Sequence, residues 1–167
     1  MKQNTNITTF EELYNECVNS SQTIWEAAQK READNAEIPV KEFRAAVKKS
    51  LDAMKEAINT GLKSKELSIS RMCGDDCARL QERFAKSHSI LGKTFEKITS
   101  YALATIEENL RMGKIVACPT AGSCAIVPSV LIGVSEELNL TEEEQINALI
   151  TAGETGRIIS NKVAPVS

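Results

Sequence analysis

Apolar side chains recur every three or four positions through the first third of the sequence, the spacing of one face of an α-helix. Thr9 and Glu12 have the spacing of a capping box, and a first helix is predicted over residues 9–31. Its apolar face consists of Phe10, Leu13, Cys17, Ile24, Trp25 and Ala28. A second helix is predicted to begin at Pro39 and to end near Gly61. Its apolar positions are Val40, Phe43, Val47, Leu51, Met54, Ile58 and Leu62.

The middle of the chain predicts one short and one long helix. Gly74, Asp75 and Asp76 offer a turn and an N-cap for a helix that runs to about Lys86. After a loop, a long helix is predicted that stops at Gly113. The stripe expected to face its core consists of Phe95, Ile98, Ala102, Ile106 and Leu110.

The last third begins with an apolar segment whose structure stays open. Residues 114–118 are compatible with a short strand or with an extended segment that belongs to no sheet. Helical spacing resumes at Val127, and Pro128 is acceptable in the first turn but would kink a helix that began near Ser123. Thr141 and Glu144 predict a capping box for a final helix.

These periods predict an all-α fold, a bundle of about five to six helices in one domain over residues 1–167. A short extended segment is expected before the turn at 119–123. Glycine is costly inside a helix unless another backbone packs against it. Gly153 and Gly156 in the final helix are therefore interpreted as a close-packing point.

Composition narrows the possible partners. The 20 basic and 23 acidic residues alternate and give a net charge of −3, so nucleic-acid binding is disfavoured. The longest apolar run, residues 125–134, is too short to cross a bilayer, and residues 1–9 do not resemble a secretory signal. We expect a cytoplasmic protein whose five cysteines remain reduced.

The turn formed by Thr120, Ala121, Gly122 and Ser123 is the best candidate for a binding site. Backbone N–H groups at a glycine turn that leads into a helix favour an anion such as a carboxylate, and two hydroxyl groups add donors. Taken alone, such a turn is more often only a connection between two elements.

The thiols and the single histidine offer weaker chemistry. Cys73 with Cys77, or Cys118 with Cys124, suggests a metal or redox protein, although four ligands in recognisable pairs are not found. Small buried hydrophobes are the simpler interpretation of all five cysteines. His88 is compatible with a general base or with a surface side chain.

The Pro-Thr-Ala-Gly-Ser motif at 119–123 also carries a family resemblance. Together with Pro128, the Thr-Ala-Gly segment at 151–153, Gly156 and Asn161, it resembles the α chain of bacterial iron–sulfur-dependent L-serine dehydratases. The segment at 73–80 is similar to that family's Thr-Gly-Gly-Asp-Ala-x-Lys-Leu sequence. The resemblance covers nearly the whole chain.

The resemblance implies a lyase that converts L-serine to pyruvate and ammonia, with a four-iron, four-sulfur cluster in the complete enzyme. It implies that residues 120–123 position the substrate, and it identifies no general base. The partners it implies are L-serine, the C-terminal half of the α chain and a β-type chain or domain, in an oligomer of like or unlike chains. It implies neither a membrane nor a nucleic acid.

None of the five cysteines matches a ligand position of that family, whose cluster cysteines follow later in its sequence. The resemblance therefore implies no metal ligand and no bound cluster in this chain alone, and we expect a piece of the α chain that is inactive by itself. Asp75 and Ser129 stand where the family has glycine. The alternative from another functional class is a non-catalytic helical module that docks onto a partner.

Overall fold

The computed structural model describes residues 7–87, 89–118 and 123–162, apart from the side chains of residues 161 and 162. Within these ranges the chain forms seven helices and no sheet, which confirms the all-α prediction. The helices are α1 (Phe10–Ser20), α2 (Ile24–Asn35), α3 (Val40–Lys63), α4 (Asp76–Lys86), α5 (Lys93–Leu110), α6 (Ile126–Glu137) and α7 (Glu142–Lys162).

The chain divides into two compact units. The first contains the described residues up to Val47 and those from Ile146 onward, and the second contains Lys48–Gln145. In the first unit, Ile7, Leu13 and Ile158 form a small apolar core beside Cys17. Arg44 lies over the ring of Trp25 at 5.5 Å and donates a hydrogen bond to Gln29 Oε1 at 2.8 Å.

The prediction of one helix over residues 9–31 is wrong, because the chain breaks after Ser20. Ser21 has a left-handed backbone with a φ of 54°, which an α-helix cannot contain. Thr23 then starts α2, and the Glu26 carboxylate accepts hydrogen bonds from its N–H at 2.8 Å and its hydroxyl at 2.7 Å. The capping box of Thr9 and Glu12 at the start of α1 is confirmed.

In the second unit, α3 buries the predicted apolar positions Leu51, Met54 and Ile58. It ends at Lys63, two residues beyond Gly61, near which the end was predicted. A Cβ atom at Gly61 would lie 2.2 Å from the carbonyl oxygen of Ala104, so the glycine allows α3 and α5 to touch through their backbones. Glycine here serves packing between helices and does not end one.

The predicted apolar stripe of α5 is wrong at three of its five positions, whereas Ile98 and Ala102 are partly buried. Phe95, Ile106 and Leu110 are 45%, 37% and 42% exposed. The helix instead buries Glu96, Ser100, Ala104, Thr105 and Glu107. It ends at Leu110, before the predicted stop at Gly113, because Met112 takes the left-handed conformation expected of a glycine, with a φ of 63°.

Three further predictions concern the segment after α5, the proline of α6 and the two glycines of α7. Residues 113–117 form neither helix nor strand, so the strand alternative is wrong. Pro128 lies in the first turn of α6, where its missing N–H costs nothing. Gly153 and Gly156 are exposed, and no described atom lies within 4 Å of a Cβ built on either, so they are not a close-packing point.

Candidate functional site

The candidate turn at 119–123 is closed at its base by a hydrogen bond. Ser123 Oγ donates to the carbonyl oxygen of Cys118 at 2.9 Å, which brings the two ends of the motif together. Thr120, Ala121 and Gly122 lie outside the described residues. Of the four predicted substrate-side residues, the structure therefore places Ser123 alone, as the residue that joins the ends of the turn.

The turn leads directly into α6. Cys124 and Ala125 are buried, and Ala125 occupies the N-cap position without a side-chain cap. Ser129 is buried and donates its hydroxyl to the carbonyl oxygen of Ile126 at 3.1 Å. Because no side chain of the N-cap satisfies the first N–H groups of α6, this helix start has the features that favour an anion.

A second tight turn precedes α4. Gly74 has a φ of 122°, and a Cβ there would lie 2.8 Å from the carbonyl oxygen of Glu66. Asp75 follows with a φ of 65° and is the N-cap residue of α4, which lies within the predicted cap segment 74–76. Its side chain makes no cap hydrogen bond. The sequence therefore identified the position of the cap but not the group that supplies it.

That group is Glu107, which lies on α5 and was not identified from the sequence. Its Oε1 accepts hydrogen bonds from the backbone N–H groups of Asp76 at 2.6 Å and Cys77 at 3.0 Å. A carboxylate at a helix N-terminus is stabilised by the unpaired N–H groups and by the helix dipole. Arg111 pairs with Glu107 at 3.5 Å and donates to the carbonyl oxygen of Glu66 at 3.2 Å.

The five cysteines differ in how far they are exposed to solvent. Cys73 is exposed, whereas Cys77 is buried and its thiol donates to the carbonyl oxygen of Ser100 at 3.4 Å. Burial raises the pKa of the Cys77 thiol, and the negative charge of Glu107 raises it further. Burial also raises the pKa of Cys118 and of Cys124. The three thiols thus favour the protonated form, which is a poor metal ligand.

A buried ion-pair network occupies the segment around Thr151, Ala152 and Gly153. The carboxylate of Glu154 lies 2.6 Å from Arg31 Nη2 and 2.7 Å from Arg157 Nη2. The side chains of Arg31 and Glu154 are 10% and 1% exposed. Glu154 therefore has a structural role in the first unit, where its carboxylate pairs with both arginines. His88, the candidate base, lies outside the described residues.

The sequence model of the serine dehydratase alpha chain family matches residues 19–167, and the chain therefore belongs to that family. The chain is 37% identical over 115 residues to the probable L-serine dehydratase, alpha chain, of Bacillus subtilis, covering 69% of this chain and 38% of that protein. It is 27% identical over 154 residues to the L-serine dehydratase, alpha chain, of Peptoniphilus asaccharolyticus, covering 92% and 53%.

A third relative is the L-serine dehydratase of Helicobacter pylori, which is 32% identical over 157 residues covering 82% of this chain and 33% of that protein. The chain thus spans between about a third and about half of the length of these relatives. No solved structure matches it. No helix in the described part is long and apolar enough to span a membrane.

The iron–sulfur cluster implied by the resemblance does not fit the described residues. Such a cluster is held by several thiolates that converge on it. Among the residues that the structure describes, no three histidine, cysteine, aspartate or glutamate side chains gather in a way that could hold a metal ion. The thiols of Cys77 and Cys124 are buried and favour the protonated form.

Proposed function

We propose that this chain supplies the substrate-side turn of an L-serine dehydratase, an enzyme that eliminates water from L-serine and gives pyruvate and ammonia. The observation that carries the proposal is the family match over residues 19–167, which includes the turn. Residues 120–123 bind the carboxylate of L-serine through backbone N–H groups and the Thr120 hydroxyl. The start of α6, whose N-cap residue Ala125 offers no side-chain cap, supports an anion at this place.

Ser123 has a positioning role in this proposal. Its hydroxyl proton is donated to the carbonyl oxygen of Cys118, so it holds the two ends of the turn together. Holding these two ends together lowers the entropy loss of ordering the turn when the substrate binds. The cluster of the complete enzyme is bound by residues other than the described cysteines.

Partner chains are a further part of the proposal. Ile69 and Met72, in the loop before α4, are 80% and 86% exposed. Arg111 ties this loop to the end of α5, where Met112 is also exposed. These apolar side chains beside the Gly74 turn provide a contact surface for the rest of the α chain or for a β-type chain in the cytoplasm.

The proposal is tested with the enzyme that contains this chain together with its α-chain remainder and β-type partner. Iron and sulfide are reconstituted without oxygen, and pyruvate formation from L-serine is measured. Turnover supports the proposal. A stable complex with the partner but no pyruvate favours the alternative, a non-catalytic helical module.

A further inference from the structure

A cavity of about 280 Å³ lies within the second unit, on helices that are separate in sequence from the turn at 119–123. Its lining residues are Lys55, Ile58, Asn59, Tyr101, Ile132, Glu136 and Gln145. Ligand cavities that enclose drug-sized molecules begin near about 300 Å³, so this one suits a smaller metabolite. The family match assigns no role to it.

The lining of the cavity carries one positive and one negative group. Among the described residues, no carboxylate forms an ion pair with Lys55. Asp52 and Glu56, its neighbours on α3, line a larger open groove together with Lys55. The Glu136 carboxylate accepts the Tyr101 hydroxyl at 2.7 Å and lies 3.4 Å from Lys97 Nζ, in both cases through Oε2. Its Oε1 therefore keeps lone pairs for a further donor.

The neutral lining groups complete this pattern. Asn59 offers an amide that can donate beside Lys55. Burial raises the pKa of Tyr101, and the hydrogen bond to Glu136 raises it further, so the phenol keeps its proton and its oxygen can accept from a cation. Ile58 and Ile132 are buried and form an apolar wall. Such a wall accepts a short aliphatic side chain and rejects a large polar one.

We propose that this cavity binds a small zwitterionic α-amino acid, with the ligand's carboxylate on Lys55 and Asn59 and its ammonium group on Glu136 and Tyr101. A carboxylate alone is disfavoured by Glu136, and an amine alone is disfavoured by Lys55. The site is distinct from the turn at 119–123 and does not depend on the proposed enzymatic activity.

The test is an NMR titration of the 167-residue chain carrying ¹³C-labelled isoleucine methyl groups. L-Alanine is added to about 50 mM, with L-serine, propionate and ethylamine in parallel titrations. Saturable shifts are expected at Ile58 and Ile132, whereas the fully exposed Ile90 should stay unchanged. Propionate lacks the ammonium group and ethylamine lacks the carboxylate, so both should bind at least about 10-fold more weakly.

Variants locate the site. Lys55→Met and Glu136→Gln should each weaken L-alanine binding by about 10-fold, since each removes one charged partner. Lys49→Met removes an exposed lysine of the same helix that does not line the cavity, and it should bind like the wild type. Ser123→Ala should also leave these shifts unchanged, because it alters only the separate turn. Thermal unfolding verifies that each variant is folded.

Each remaining outcome overturns the proposal. The proposal is wrong if no saturable shifts occur at Ile58 and Ile132. It is also wrong if Lys55→Met and Glu136→Gln both bind L-alanine like the wild type. Equal affinity for propionate and L-alanine would show that Glu136 recognises no ammonium group. Loss of the shifts in Ser123→Ala would assign the binding to the turn.

Discussion

The carboxylate of Glu107 accepts a hydrogen bond from the backbone N–H of Cys77 at 3.0 Å. This bond crosses from α5 to the first turn of α4, and the same oxygen also accepts from Asp76. The start of α4, directly after the Gly74 turn, is therefore fixed by a side chain that lies 30 residues beyond Cys77 in the sequence.

Replacing Glu107 tests this dependence. Glu107→Gln removes the charge that faces the dipole of α4 and leaves Arg111 without its full counter-charge, so we expect a loss of about 2 kcal/mol in the free energy of unfolding. Urea unfolding at neutral pH measures the loss. The control is Glu56→Gln, since Glu56 is exposed and pairs only loosely with Lys114 at 3.9 Å. It should change stability by less than about 0.5 kcal/mol. Equal effects of the two variants would contradict the capping role of Glu107.

Replacing Gly61 and replacing Gly156 by alanine should change the stability of the fold in opposite directions. In Gly61→Ala the new Cβ meets the backbone of Ala104 at 2.2 Å, so α3 and α5 must separate and stability should fall by about 2 kcal/mol or more. In Gly156→Ala no described atom lies within 4 Å, so the variant should gain about 0.5–1 kcal/mol from helix propensity. Thermal unfolding of both variants decides the matter. A stabilising Gly61→Ala would refute the close contact.

The ion pairs of Glu154 predict a pH dependence of stability. Burial raises the pKa of this carboxyl group, but the hydrogen bond from Arg157 and the charge of Arg31 outweigh it, and the net effect lowers the pKa below 4.5. A lowered pKa means that the folded state holds the proton less tightly than the unfolded state does. The contribution is complete above about pH 4.5 and disappears as the pH falls through the lowered pKa.

Glu154→Gln provides the measurement. At neutral pH the variant should be less stable than the wild type by about 2 kcal/mol, because Arg31 and Arg157 lose a buried partner. The difference should shrink below pH 4. A difference that stays constant between pH 7 and pH 3 would exclude this linkage. Glu11→Gln, in the exposed first turn of α1, serves as the control and should show no such change.

The helix starts show how far local sequence can predict this fold. The capping boxes at Thr9 and Thr141 were predicted because all the participating atoms lie within three residues of one another. Thr23 and Glu26 have the same spacing and begin α2. This capping signal competes with the apolar period, which continues through Ile24 and Trp25 and predicts one uninterrupted helix.

The buried face of α5 was not predictable from apolar period alone. A second face with helical spacing joins Glu96, Ser100, Ala104, Glu107 and Arg111. This face is buried because Gly61 requires a small neighbour at Ala104 and because Glu107 caps α4. Both causes are tertiary contacts between distant segments, and no local pattern contains them.

In the candidate site, too, some features follow from the local sequence and others only from the fold. Ser123 was predicted as a substrate-side residue, and the structure adds its hydrogen bond to the carbonyl oxygen of Cys118, which the sequence did not predict. The role of Glu107 was not predicted either, since only the fold brings α5 to the start of α4. Thr120, Ala121 and Gly122 remain predictions from sequence.

We propose that the turn at 119–123 holds L-serine for dehydration, and one measurement tests this role directly. The measurement is pyruvate formation by the anaerobically reconstituted enzyme, with kcat and KM determined for the wild type and for Ser123→Ala. We expect pyruvate from the wild type. Loss of the hydrogen bond to Cys118 should lower kcat/KM by about 10-fold or more, mainly through KM, without changing the iron content. No pyruvate from the wild type, or an unchanged KM in Ser123→Ala, would contradict the account.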